Sequence, residues 1–223
     1  MNELRLPDLK IMGESTSNGG RFRNVRITGE CVFHGDVDCT KLACTGNATV
    51  QGNLRAEELK LTGRCDLGSI DAGIVTGRGE LAVSSRLRGE HIKFTGHIEV
   101  DGDCEAGALE VGGAFTVNGL ASAERLELRM YGPCRAKEIG GGTITVKRSR
   151  ASTLVHLFSP DSAGDLTADS IEGDEVSLQH TKAGIVRGNR VTIGPGCEIG
   201  RVEYAKTLDI HKNAKVGEVI RQA

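Results

Sequence analysis

The chain has no tryptophan, and two tyrosines and five phenylalanines are its only aromatic residues among 223. A large globular core normally rests on bulky rings, so this interior has to be built from small and medium aliphatic side chains in narrow layers. Charge of one sign is missing too. Lysine plus arginine total 28 against 30 for aspartate plus glutamate, a net charge of -2. No overall field draws in a polyanion, which argues against nucleic acid as a partner. No apolar run reaches the roughly 18 to 20 residues of a membrane helix, and the opening MNELRLPDLK lacks the basic start and apolar centre of a secretory signal. The expectation is a cytoplasmic, unprocessed chain with no transmembrane segment; peripheral membrane contact stays open.

What is abundant is glycine, 31 residues, and it keeps time with a repeat. The chain aligns in successive rows: NVRITGECVFHGDVDCT, KLACTGNATVQGNLRAE, ELKLTGRCDLGSIDAG, IVTGRGELAVSSRLRGE, HIKFTGHIEVDGDCEAG and ALEVGGAFTVNGLASAE. Each row is seventeen residues long except the third, which has sixteen. Fixed-period self-similarity of this length marks a solenoid.

Every row holds three short segments that alternate inward and outward with period two, each too short for an amphipathic helix. The first inward pair runs Val25/Ile27, Leu42/Cys44, Leu59/Leu61, Val75/Gly77, Ile92/Phe94 and Leu109/Val111. The second runs Cys31/Phe33, Ala48/Val50, Cys65/Leu67, Leu81/Val83, Ile98/Val100 and Phe115/Val117. The third runs Val37/Cys39, Leu54/Ala56, Ile70/Ala72, Leu87/Gly89, Cys104/Ala106 and Ala121/Ala123. None of these places carries a charge, whereas the residues between them include Arg26, Lys60, Lys93, Glu99 and Glu105. One-sided burial applied three times per row describes a coil with three faces, stacked at about 4.8 Å per coil. The fold expected is all-β, a parallel β-helix.

Gly29, Gly46, Gly63, Gly79, Gly96 and Gly113 fall at one corner of the coil, and Gly35, Gly52, Gly68, Gly102 and Gly119 at the next. Sharp turns explain them better than a phosphate-binding loop, which occurs once before a helix. Five of the seven cysteines occupy inward places, where free cysteine behaves as a small hydrophobe. Cys31 and Cys65 share a place but lie two coils apart, about 9.6 Å, too far for a disulfide. The chain has no CxxC pair, so neither a metal site nor a cofactor is expected.

The beat begins early, at Leu9 and Ile11, and resumes late, where Val191, Ile193, Cys197, Ile199 and Val202 are matched seventeen residues on by Leu208, Ile210, Ala214, Val216 and Val219. The expected organisation is one solenoid over residues 1–223, with an opening coil at 1–23, regular coils at 24–146, an irregular insertion at 147–169 and C-terminal coils at 170–223. Lys147, Arg148 and Arg150 read as a solvated loop or edge rather than a docking site for an acidic partner. The six histidines are scattered, and the outer carboxylates Asp36, Asp38, Asp101, Asp103 and Glu105 solvate the faces and protect them from stacking, so no catalytic centre is expected.

The run ITGECVFHGDVDCTKLACTGNATVQGNLRAEELKLTG resembles the bactofilins, bacterial polymer-forming cytoskeletal proteins, and LKIMGESTSNGGRFRNVRITGE and the late segment from IEGDEV to VEY resemble the longer Bacillus-type members. The resemblance implies a right-handed β-helix, nucleotide-independent end-to-end homopolymers, other bactofilin-like proteins as partners, and scaffolding in cell shape or flagellar assembly. An end coil exposes unpaired backbone and an apolar cross-section, so it must be capped or joined to another end. The candidate self-assembly residues are therefore Leu9, Ile11 and Phe22 at one end and Leu208, Ile210, Val216 and Val219 at the other. Two alternatives stand beside this scaffold: a β-helix enzyme related to acyltransferases, suggested by VTIGPGCEIG, and a monomeric adaptor using one flat face.

Overall fold

A computed structural model describes residues 6–149 and 165–222. The described chain is strand and turn, without helix, in nine strands: β1 (Leu9–Ser17), β2 (Gly20–Phe33), β3 (Val37–Val83), β4 (Leu87–Val100), β5 (Cys104–Arg148), β6 (Leu166–Leu178), β7 (Thr181–Ile193), β8 (Glu198–Ile210) and β9 (Lys215–Arg221). They fall into two compact units, Met1–Gly102 and Asp103–Ala223. The great length of β3 and β5, 47 and 45 residues, follows from the coiling, because each turns several corners without breaking its ladder.

In the first unit every pairing is parallel. Leu9 sits on Val25 and Gly13 on Gly29, sixteen residues apart; Val25 sits on Leu42 and Val75 on Ile92, seventeen apart. These are the steps of the sequence rows. The fold is a parallel β-solenoid of about seventeen residues per coil. Burial follows the three inward pairs closely: all the places read from the six rows are buried except Gly77, Gly89 and Ala106, which are half-buried. Phe33, Phe94 and Phe115 supply the largest interior side chains, at 0%, 1% and 0% exposure.

The two glycine columns do different work. At the first corner Gly29, Gly46, Gly63, Gly79, Gly96 and Gly113 all have φ between 119° and 150°, which side chains avoid. At the second corner φ is ordinary, and the constraint is crowding: a Cβ on Gly68 would lie 2.6 Å from the Gly52 carbonyl oxygen.

The second unit varies the coil length. A Cβ on Gly141 would meet the Ala123 carbonyl oxygen at 2.0 Å, so that coil is stacked eighteen residues on, and its period is hard to see in the sequence. Yet Leu126, Leu128, Met130, Cys134, Ala136, Ile139, Ile144 and Val146 are all buried. Next, Cys134 pairs with Leu166 and Val146 with Leu178, a step of thirty-two. That exceeds seventeen by fifteen, the number of residues in 150–164, which, Arg150 and His156 among them, lie outside the described residues. Of the insertion expected at 147–169, the described edges are regular strand: Lys147 and Arg148 end β5, and Leu166–Asp169 belong to β6. Arg148 pairs with Asp165, and the Asp165 carbonyl accepts the Cys134 N–H at 2.9 Å. β6 to β7 steps by fifteen, β7 to β8 by sixteen and then seventeen after an irregularity at Gly188/Arg190, and β8 to β9 by seventeen.

Candidate functional site

The first coil begins on an electrostatic clasp. Pro7 C=O accepts the Arg23 N–H at 2.9 Å, and the Asp8 carboxylate accepts from Arg23 Nε and from Asn24 Nδ2, both at 2.9 Å. These donors, Arg23 foremost, hold the Asp8 carboxyl well below the usual carboxylate range. Among the described residues β1 is paired along one edge only, with β2. Of the assembly residues expected here, Leu9 and Phe22 are half-buried, but Ile11 is only 6% exposed. Ile11 is already part of the core. Met12, on the outward side of the same strand, is 72% exposed and was not among the residues singled out.

Among the described residues, β9 in the last coil pairs only with β8, aided by Lys215–Glu198 at 3.0 Å and Arg201–Glu218 at 2.7 Å. Ile210 is 39% exposed and Val219 47%, while Leu208 and Val216 are half-buried. Their partners one coil earlier, Ile193, Val202, Val191 and Ile199, are exposed by no more than 3%. The residue types are the same; what differs is that no further coil covers the last one among the described residues. Ile220, 37% exposed, neighbours Val219 but stands over Glu203, an outward place, and so lies outside the inward pattern.

Groups able to do covalent or metal chemistry are dispersed or shielded. All seven cysteines are free and buried. Desolvation pushes the Cys39 and Cys44 thiols up to about 11 and those of Cys104 and Cys134 up to about 12, and it raises Cys65 further still. A thiol held protonated is a poor nucleophile and a poor ligand. His34 Nδ1 lies 3.2 Å from Gln51 Oε1, and His211 Nδ1 accepts the Asn213 N–H at 3.1 Å. Among the described residues no three His, Cys, Asp or Glu side chains are grouped to hold a metal ion. A cleft of about 540 Å³ in the second unit has Gly141, Gly173 and Gly188 as its floor. Four of its polar side chains are engaged in pairs, Arg187 with Glu172 at 3.7 Å and Asn189 with Asp174 at 2.8 Å. Among the described residues no helix is long and apolar enough to cross a membrane.

A parallel β-solenoid with a shielded interior and one uncovered apolar coil is the class of protein this geometry defines. The chain is 32% identical over 228 residues to the uncharacterized protein YhbE of Bacillus subtilis, a match that covers 93% of this chain and 95% of YhbE. It belongs to the family of YhbE. It is also 49% identical over 82 residues to the uncharacterized protein YhbF of the same organism, covering 37% of this chain and about a third, 32%, of YhbF. No family model and no solved structure matches the chain.

Proposed function

We propose that this chain is a non-enzymatic, self-assembling scaffold of the bactofilin type, acting in the cytoplasm and joining copies through its terminal coils. The observation that carries the reading is the contrast between Ile210 and Val219, exposed by 39% and 47%, and Ile193 and Val202, each at 0% one coil earlier. A second copy stacked on the last coil buries the same apolar places that an internal coil buries, and it satisfies the free strand edge of β9 with a ladder of backbone hydrogen bonds. The shielded thiols and dispersed histidines support a structural role. Electron microscopy and sedimentation of the purified chain over a range of salt concentrations test the proposal. Filaments that form without added nucleotide are the expected result. A monodisperse monomer at high protein concentration refutes it and favours the adaptor.

A further inference from the structure

The near-neutral net charge conceals a segregation of charge within the first unit. On the face built from the first inward pair, each coil presents two outward residues, one between the pair and one just before the corner glycine. The ladder stacks them into two columns, with Lys10 on Arg26, Thr28 on Thr45, Thr76 on Lys93 and Arg78 on Thr95. The Gly46, Gly63 and Gly79 stack carries the same register through the coil of Lys60 and Thr62. Across six coils these columns hold five cations, Lys10, Arg26, Lys60, Arg78 and Lys93, all exposed. The remaining places hold five threonines, Ala43 and Met12, and neither column contains a carboxylate. The strip is about 24 Å long and about 7 Å wide between columns.

Four of the five cations, Lys10, Arg26, Lys60 and Arg78, are available. Most other basic residues of this unit are engaged: Arg21 with Asp38, Arg23 with Asp8, Lys41 with Glu58 and Arg64 with Asp66. Lys10, Arg26, Lys60 and Arg78 make no ion pair or hydrogen bond among the described residues. On the flank, Asp8 and Glu58 are held by those same partners, and Glu14 and Glu30 lie beyond the glycine corner on the next face. The sequence repeat ends the strip there, since its next row puts Glu110 in the place of Lys93.

We propose that this face docks on an anionic phospholipid bilayer. Three features of the face select that occupant. The surface is a sheet face that presents its cations in one plane, matching a planar array of phosphates. Two exposed large apolar side chains accompany the cations, Met12 at 72% within the strip and Ile74 at 43% on its flank, in the column that also holds Glu58. Such side chains among cations enter the headgroup boundary and add to the electrostatic attraction. No aromatic ring stands in either column to stack a nucleic acid base. The inference is independent of self-assembly, because the strip lies on a lateral face.

The test is flotation of the purified full-length chain with vesicles through a density gradient, in which assemblies without lipid stay at the bottom. At low salt the chain is expected to float with phosphatidylcholine vesicles containing phosphatidylglycerol, and not with phosphatidylcholine alone. Each cation near such a surface contributes about fivefold in binding, so Arg26→Glu/Lys60→Glu/Arg78→Glu is expected to weaken it by at least about fiftyfold. A control with the same charge change at exposed residues elsewhere, Arg86→Glu/Lys206→Glu/Lys212→Glu, is expected to stay within about threefold of the wild type, since only screened long-range attraction is altered. Circular dichroism establishes that each variant is folded, and the single Lys60→Ser, expected to lose about fivefold, stands in if the triple variant is not. Failure of the wild type to float with anionic vesicles overturns the proposal, as does equal flotation of the strip variant. Binding to heparin or a single-stranded oligonucleotide without binding to vesicles also overturns it, by assigning the strip to a soluble polyanion.

Discussion

A Cβ added to Gly63 would lie 2.0 Å from the carbonyl oxygen of Gly46, one coil earlier, on a backbone whose φ is +128°. Both the conformation and the close stacking exclude a side chain there. Gly63→Ala is expected to cost about 3 kcal/mol, combining left-handed strain with overpacking. Gly132→Ala, where φ is not positive and the added carbon meets only the Ala114 Cβ at 3.5 Å, is expected to change stability by less than about 1 kcal/mol. Chemical denaturation of the two variants checks the difference, and equal midpoints would remove the corner column from the account of the fold.

The interior makes a sharper demand at Ile98, which is 0% exposed between its neighbouring coils, next to the exposed Glu99. Ile98→Asp buries an unpaired carboxylate and is expected to cost several kcal/mol or prevent folding. Glu99→Ala removes a solvated group and is expected to cost under about 0.5 kcal/mol. Thermal melts that rank the two variants the other way would reverse the assignment of inward and outward places.

Much of this was legible because the period is nearly constant in the first six rows, seventeen residues in five of them and sixteen in the third. Where coils share a length, every inward pair recurs at the same distance, and Val25, Leu42 and Leu59 announce one another. Legibility failed where the step changed. Leu126 to Ile144 spans eighteen residues and Val146 to Leu178 thirty-two, so a seventeen-residue period does not match these partners to each other although every one of those side chains is buried. At the ends the sequence pattern identified apolar places but not their cover. Ile11 and Ile210 are the same residue type in the same kind of place, yet one is 6% exposed and the other 39%. The basic strip was hidden for another reason: net charge sums over all faces, whereas Lys10, Arg26 and Lys60 meet only when residues a coil apart are read as neighbours.

The cysteine thiols give a pH-dependent signature. Burial raises Cys39 and Cys44 from 9.0 to about 11 and Cys104 and Cys134 from 9.0 to about 12. The folded state therefore retains these protons where the unfolded state has begun to lose them, so stability is fully present below pH about 9 and falls as pH rises through 11 to 12. An aromatic disulfide reagent at pH about 8 is expected to label no buried thiol of the native chain at an appreciable rate and all seven in denaturant. Rapid native labelling would contradict the burial.

Arg148 and Asp165 flank residues 150–164 and pair with each other, the Arg148 side chain being 12% exposed and that of Asp165 39%. Arg148→Ala removes a shielded guanidinium that pairs with a part-exposed carboxylate, together with the arginine's methylene packing, an expected loss of about 1 to 2 kcal/mol. Arg21→Ala, at a pair whose side chains are 71% and 44% exposed, is expected to cost under about 0.5 kcal/mol. Matching denaturation curves for the two variants would assign the Arg148 pair no more than a surface role.

Assembly through the last coil predicts a separation between folding and self-association. Ile210 and Val219 are exposed in the single chain, so a lysine at either place leaves its charge in water and the fold intact. At a junction between copies the same charge would be desolvated without a partner, a penalty of several kcal/mol incurred at every subunit added. Ile210→Lys or Val219→Lys is therefore expected to give a folded, soluble species that is short or monomeric by sedimentation and light scattering. Thr116→Lys, at an outward place of a middle coil, is expected to assemble as the wild type does. Ile11→Lys belongs to a different class, because Ile11 is buried against its own coil, and it is expected to loosen the opening coil and lower the melting temperature rather than report on assembly alone. If Ile210→Lys and Val219→Lys form filaments as long as those of the wild type, the last coil is not the contact between copies, and the exposed apolar places there need another partner.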